Sequence, residues 1–320
     1  ERPLECAADF GVHGDGIDQT AVFPTEAGLP IGAPLAWGPD SAEGIDWLLE
    51  NRYTVYSANY LNWLAGDPGT YVTTRMDVLK DVAGDVIAGI GGLRVGLMRF
   101  SQDSQGGMVL FPVSDIDVPG NRTALLDTLA ALEPDGGTPL AESLYEAQRY
   151  YSGNLVDFGL DSVGTGGTPQ PSVDASRTGD TYVSPIIDQC QASYVVLLTD
   201  GLPTNDTEAN GRIANLTGTP CTESCLDELS GWMAAADQSA AFDDVQAVET
   251  FTIGLFADLP LLLDSATADR LDGSPGYFTV DDTFSLSAAL AGTFQDIEQR
   301  NATFQSPALA VDGYNRLVNR

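Results

Sequence analysis

The chain has 320 residues, room for one large or two ordinary domains, and 43% of them are apolar, enough for a sizeable core. It carries 46 acidic against 14 basic residues, a net charge of −32, which excludes nucleic acid as a partner because neutralising phosphates takes Lys and Arg. No apolar run approaches the ~18 residues of a membrane span, so no membrane insertion is expected, and cations are the natural counterparts of so acidic a surface.

Residues 1–52 are rich in Gly, Pro and Asp and read as an irregular N-terminal elaboration packed on the domain that follows, pinned by Cys6. The aromatic-dense stretch from Tyr53 to Trp63 is expected to pack against the core, ahead of a Gly66-Asp67-Pro68-Gly69 turn. Thr74 caps a helix, with Asp77 in the capping-box position, and Met76, Leu79, Val82, Val86 and Ile90 recur at helical spacing until Gly89, Gly91 and Gly92 end it. Leu93 to Phe100 alternates as a strand. Met108 to Val113 is a second, joined to it by Gly106-Gly107, and Pro112 predicts an edge position.

A helix over Arg122 to Leu132 leads to Gly136-Gly137-Thr138-Pro139 and a helix from Leu140 to Tyr151, with Thr138 as cap and Pro139 at the first helical position. Residues 152–190 are polar, Gly-rich and without periodicity, a long surface insertion. Tyr194 to Leu198 runs straight into Thr199-Asp200-Gly201 and reads as a strand buried on both faces in the middle of a sheet. After a second polar insertion come a helix from Leu226 to Asp237, a strand from Val248 to Leu255, a helix from Leu261 to Arg270, a short strand from Gly276 to Val280, and a closing helix from Ser285 to Asn301. Strands alternating with helices imply an α/β fold, a doubly wound, mostly parallel sheet with helices on both faces and long polar insertions. Residues 53–303 form this domain, and residues 304–320 read as a linker.

Ligand sites in such folds lie beyond the carboxyl ends of the strands, which puts Asp200 beside a crevice. A hydroxyl from Thr138 and a carboxylate from Asp200 are suited to a hard divalent cation, Mg or Ca, though two oxygens do not complete a shell. The plain alternatives are that Thr138 only caps its helix and Asp200 only stabilises a turn. The four cysteines, Cys6, Cys190, Cys221 and Cys225, fit two disulfides: Cys221–Cys225 closes locally, leaving Cys6–Cys190 to tie down the N-terminal segment. Zinc is the rival, with one histidine, His13, and no Cys-x-x-Cys pair to support it. His13 is also the one base for neutral-pH catalysis, and it sits in a Gly-rich stretch. No nucleophile elbow or P-loop is present, so no enzyme is expected.

The strand ending in Thr199-Asp200-Gly201, the Gly136-Gly137-Thr138-Pro139-Leu140 loop and the β/α order resemble a von Willebrand factor A domain. Tyr56 to Trp63, Thr74-Arg75-Met76, Arg94 to Phe100, Gly136 to Ala147, Cys225 to Leu229 and Thr252-Ile253-Gly254 resemble the branch found in PilY-type tip proteins of type IV pili. The tail Thr303 to Ala308 is similar to the approach to the β-propeller that follows in that family. The resemblance implies an extracellular module at a pilus tip on the bacterial cell surface, serving adhesion and pilus assembly. Its partners would be pilin or minor pilins and a host or abiotic surface ligand. Thr138 and Asp200 match two elements of that family's metal-ion-dependent adhesion site. The Asp-x-Ser-x-Ser strand that supplies the rest is absent: Asp40-Ser41 and Asp103-Ser104-Gln105-Gly106 do not fit it. The sheet is then expected to lack its central member, or to fill the gap with another strand. The alternative role is a metal-free, disulfide-braced structural spacer of the pilus tip.

Overall fold

The structure is a computed structural model that describes residues 74–305 together with four short strands at 2–5, 53–56, 310–311 and 317–318. The chain divides into two compact units, Glu1–Val72 and Thr73–Arg320. In the first, β1 (Arg2–Glu5) pairs in parallel with β2 (Tyr53–Tyr56). Cys6, His13 and the expected packing of Ser57 to Trp63 lie outside the described residues.

The second unit opens on α1 (Arg75–Gly89), started as its sequence predicts. The Thr74 hydroxyl accepts from the Asp77 amide, and the Asp77 carboxylate accepts from the Thr74 amide, both at 3.1 Å. Strands β3 (Arg94–Phe100) and β4 (Gly107–Asp115) form an antiparallel pair. The outer edge of β4 is covered by the Val173 amide, which donates to the Val109 carbonyl, so Pro112 does lie in a border strand. Helices α2 (Asn121–Ala130) and α3 (Leu140–Tyr151) follow. The 152–190 insertion is more structured than its composition suggests. It holds α4 (Phe158–Asp161) and the small hairpins β5 (Val163–Gly164) with β6 (Thr168–Pro169) and β7 (Arg177–Thr178) with β8 (Thr181–Tyr182). Its Val156 and Tyr182 are buried with Val109 and Tyr150 in a common cluster.

A parallel sheet is built from β9 (Ser193–Thr199), β10 (Val248–Leu255) and β11 (Tyr277–Val280), in the order β11-β10-β9. Between them run α5 (Asn210–Thr217), α6 (Leu226–Ala235) and α7 (Pro260–Ser265), and α8 (Thr283–Gln305) closes the unit. In the tail, β12 (Ala310–Val311) pairs antiparallel with β13 (Leu317–Val318). Alternation along β9 and β10 sends Val195, Leu197 and Val248 into a core with α3, α5 and α6. The opposite face sends Val196, Leu198, Ile253 and Leu255 onto α1 and α8. The α/β class with helices on both faces is as the sequence predicts.

Three expectations are corrected. Strand β9 is not central. Among the described residues it borders its sheet, and Tyr194, Val195, Val196 and Leu198 are only half-buried, whereas β10 holds the middle with Phe251 and Ile253 fully buried. An apolar run reports that both faces of a strand are covered and says nothing of how many of its edges are paired. The helix expected over 261–270 stops at Ser265, because Thr267 and Ala268 turn back to β10, their amides donating to the Thr250 carbonyl at 3.0 Å. Thr138 does not cap α3. The N-cap is Pro139, and Asp206 takes over the capping task from a distant loop, accepting from the Ala141 amide at 2.8 Å.

Among the described residues no ladder joins β3 to β9, although Val95 and Leu97 of one and Tyr194 and Val196 of the other pack against the same buried cluster. Arg94, at the start of β3, donates to the Pro185 carbonyl at 2.7 Å, just upstream of β9. The two strands thus feed a common core while, among the described residues, each keeps one edge outside any ladder.

Candidate functional site

The carboxyl ends of β9, β10 and β11 form a rim, and the residues that follow them are Asp200, Phe256 and Asp281. Asp200 leaves β9 through a tight turn in which the Thr199 hydroxyl accepts from the Gly201 amide at 3.3 Å. The Asp200 side chain is 57% exposed. The loop then runs to Thr204, whose amide donates to the Thr138 carbonyl at 3.0 Å, so the loops carrying Thr138 and Asp200 sit at one rim. The Thr138 loop is seated by Gly136, at φ +95°, where a Cβ would fall 2.7 Å from the Gln102 backbone.

The Asp200 carboxylate is engaged by the guanidinium of Arg75, at 3.3 Å to Oδ2 and 3.4 Å to its own carbonyl. The capped start of α1 fixes Arg75 there. A cation in the first turn of a helix opposes the macrodipole, so the aspartate is what compensates it. The guanidinium also lies 5.0 Å above the Phe256 ring. Phe256 holds φ +54°, a left-handed conformation that is strained for a bulky residue, and it is 53% exposed. Its amide donates to the Val280 carbonyl at 2.7 Å, locking the turn to the end of β11.

Beside this pair a cavity of about 140 Å³ is lined by Val78, Leu255, Phe256, Val280, Asp282, Thr283 and Leu286. That is well under the roughly 300 Å³ at which small-molecule sites begin, so the rim is a surface and not a ligand pocket. Exposed apolar side chains stand on it: Leu202 after β9, Phe256 after β10, and Phe284 at the start of α8, which is 82% exposed.

Asp200 presents an exposed carboxylate that Arg75 already occupies, and Thr138 stands in the adjoining loop. In the sequence Arg75 stands out only as part of a helix start. Its pairing with a residue 125 positions away has no local signal. Three acids escape sequence reasoning entirely. Glu142 and Glu146 are fully buried on α3, and Asp206 nearly so. Burial raises the pKa of all three, against the hydrogen bonds they accept. For the two glutamates, a spacing of four on one helix is the available signal.

Cys221 and Cys225 form the expected disulfide at the start of α6, where Cys225 is the N-cap. The Glu228 carboxylate lies close to both sulfurs. Cys190 is exposed and has no disulfide partner among the described residues, and its expected partner Cys6 is outside them.

No family model matches the chain, and no curated protein matches it significantly. Similar solved structures exist. Proximal thread matrix protein 1 from the mussel byssus is 14% identical with a TM-score of 0.37, covering 68% of this chain and 40% of its own length. The vWF domain of the type V pili tip protein Mfa5 from Porphyromonas gingivalis is 16% identical with a TM-score of 0.38, covering 74% and 91%. BatB from Bacteroides thetaiotaomicron is 12% identical with a TM-score of 0.36, covering 71% and 89%. The chain thus spans under half the length of the mussel protein. The α/β architecture rests on the chain's own parallel ladders and on the cores that cover both faces of the sheet.

Proposed function

We propose that this chain is an adhesion or protein-interaction module that binds through the rim at the carboxyl ends of β9, β10 and β11. The observation that carries this reading is that three exposed large apolar side chains, Leu202, Phe256 and Phe284, follow the ends of β9, β10 and β11, with the exposed Arg75–Asp200 pair beside Phe256. Apolar groups that could be buried but are left in water at the end of a parallel sheet are characteristic of a binding face. The finer reading follows the sequence resemblance. The module belongs at the tip of a type IV pilus, outside the cell, where it meets pilin or minor pilins and a surface ligand. A divalent cation, Mg or Ca, held by Thr138 and Asp200 supplies a positive centre for a partner's carboxylate. The Cys221–Cys225 disulfide suits that oxidising location.

The test is retention of the purified chain on pilin-coated and on bare abiotic surfaces. Leu202→Ser and Phe284→Ser should each weaken retention at least several-fold while leaving the melting temperature unchanged. Retention that survives the double substitution on both surfaces moves the binding face elsewhere.

A further inference from the structure

We propose that Cys221, Cys225 and Glu228 form a zinc site that opens when the Cys221–Cys225 disulfide is reduced. Among the described residues these three are the metal-ligating side chains that gather at one point: the two sulfurs and a Glu228 carboxylate oxygen all lie within 4.8 Å of one another. The spacing suits zinc. Cys-x-x-x-Cys lies within the range of its paired cysteine ligands, and the carboxylate follows Cys225 by three positions, on the same side of the first turn of α6. The state of the carboxylate points the same way. The Oε2 atom of Glu228 is buried and has no hydrogen-bond partner among the described residues, a cost that a cation on the carboxylate would remove. The ligands are also held by more than the sulfur–sulfur bond. In the loop between the cysteines, the Ser224 hydroxyl donates to Asp206 at 2.7 Å and the Glu223 carbonyl accepts from the Asn210 side-chain amide at 2.6 Å. Cys225 itself is fully buried in the core with Leu226 and Leu229. Breaking the disulfide therefore leaves three donors close together.

A dithiol reductant opens the site. It gives two electrons and two protons to the disulfide, its own thiols closing into a disulfide, and Cys221 and Cys225 become thiols. Zinc then displaces both thiol protons to solvent and takes the two thiolates and the carboxylate, with water in the fourth tetrahedral position. Two thiolates select zinc over magnesium and calcium, which take oxygen ligands. Sulfurs at ~2.3 Å from one zinc ion stand roughly 3.8 Å apart, so a bonded pair of sulfurs cannot serve as its ligands. Disulfide and metal are exclusive states of the same residues: oxidation expels zinc, and zinc protects the thiols.

The experiment reduces the full chain with a phosphine, removes the reductant, and titrates with cobalt(II) and then zinc. The expected result is one cobalt per chain with a thiolate-to-cobalt charge-transfer band, displaced by an equivalent of zinc, and no such band in the oxidised chain. Zinc should slow alkylation of Cys221 and Cys225 in the reduced chain, read by peptide mass spectrometry, and leave that of Cys190 unchanged. Glu228→Gln, which keeps both cysteines, should bind zinc at least about ten-fold more weakly, since even changes behind the ligands cost roughly 10–100-fold. Absence of the cobalt band in the reduced chain overturns the site, and so does alkylation of Cys221 and Cys225 that zinc does not slow. Equal zinc affinity in Glu228→Gln overturns the three-ligand arrangement. A reduced chain that unfolds and does not refold with zinc overturns it as well. The wild-type measurements need no variant, so they stand even where a substitution at Glu228 disturbs α6. None of these readouts depends on the adhesion reading.

Discussion

Glu146 is a charged side chain placed where water cannot reach it, and its neighbours show why it is kept. Its carboxylate accepts from the Tyr182 hydroxyl at 2.7 Å, the Asp157 amide at 3.1 Å and the Phe158 amide at 3.0 Å. One side chain on α3 thereby pins two parts of the long insertion. Glu142 does the same for other loops, accepting from the Gly106 and Glu208 amides at 2.8 Å. Glu146→Ala would take the acceptor from the buried Tyr182 hydroxyl and two half-buried amides at once, and the expected loss in urea denaturation is roughly 3–5 kcal/mol. Glu146→Gln keeps one acceptor and should lose less. The pH dependence follows from the direction of the shift. Burial raises the pKa of Glu146 above its ordinary 4.5, so the folded state binds the proton more tightly than the unfolded chain. Stability should therefore rise as pH falls from above the folded value toward 4.5, and level off below it. Glu142 and Asp206 shift the same way and add to this slope. Denaturation midpoints across that window should show the slope reduced in Glu146→Gln. An unchanged slope would assign it to other groups.

At the level of elements, the unpaired edges make a definite prediction. Successive amides of a parallel strand point alternately to its two neighbours, so among the described residues only those of β9 that face β10 are in a ladder. Amide hydrogen exchange should show β10 protected along its length and β9 protected at alternate positions. Uniform protection along β9 would mean that its second edge is paired. How far such features are legible in the sequence depends on range. The start of α1 is legible because Thr74 and Asp77 carry the whole cap within one turn. The end of α7 is not, because Thr267 answers to a backbone group of β10 and the chain near it still reads as helical. The place of β9 in its sheet is hidden for the reason that apolarity measures faces. Of the site, Thr138 and Asp200 can be named from their loops, whereas Arg75 and Asp206 act across 125 and 65 positions and leave no local trace.

For the molecule as a whole, charge is the largest unbalanced quantity. The net −32 leaves most carboxylates without a basic partner, and the cations are spent on local ties. Arg75, Lys80, Arg122, Arg177, Arg212, Arg270 and Arg300 each lie within 4 Å of a carboxylate. Lys80 also donates to the Ala130 and Leu132 carbonyls, joining α1 to the end of α2. Exposed pairs of this kind contribute at most about 1 kcal/mol each and weaken with salt. Repulsion among the remaining acids acts against the compact state and is screened by the same salt. The two effects oppose each other, and the excess of 46 acids over 14 bases decides the sign. Raising sodium chloride from about 10 mM to about 150 mM, where the Debye length falls from ~30 Å to ~8 Å, should raise the melting temperature. For a unit of this size each kcal/mol gained appears as roughly 2–4 °C. The rise should follow ionic strength and be equal with potassium or choline, because screening does not depend on the identity of the cation. A fall in melting temperature over that range would mean that the ion pairs outweigh the repulsion.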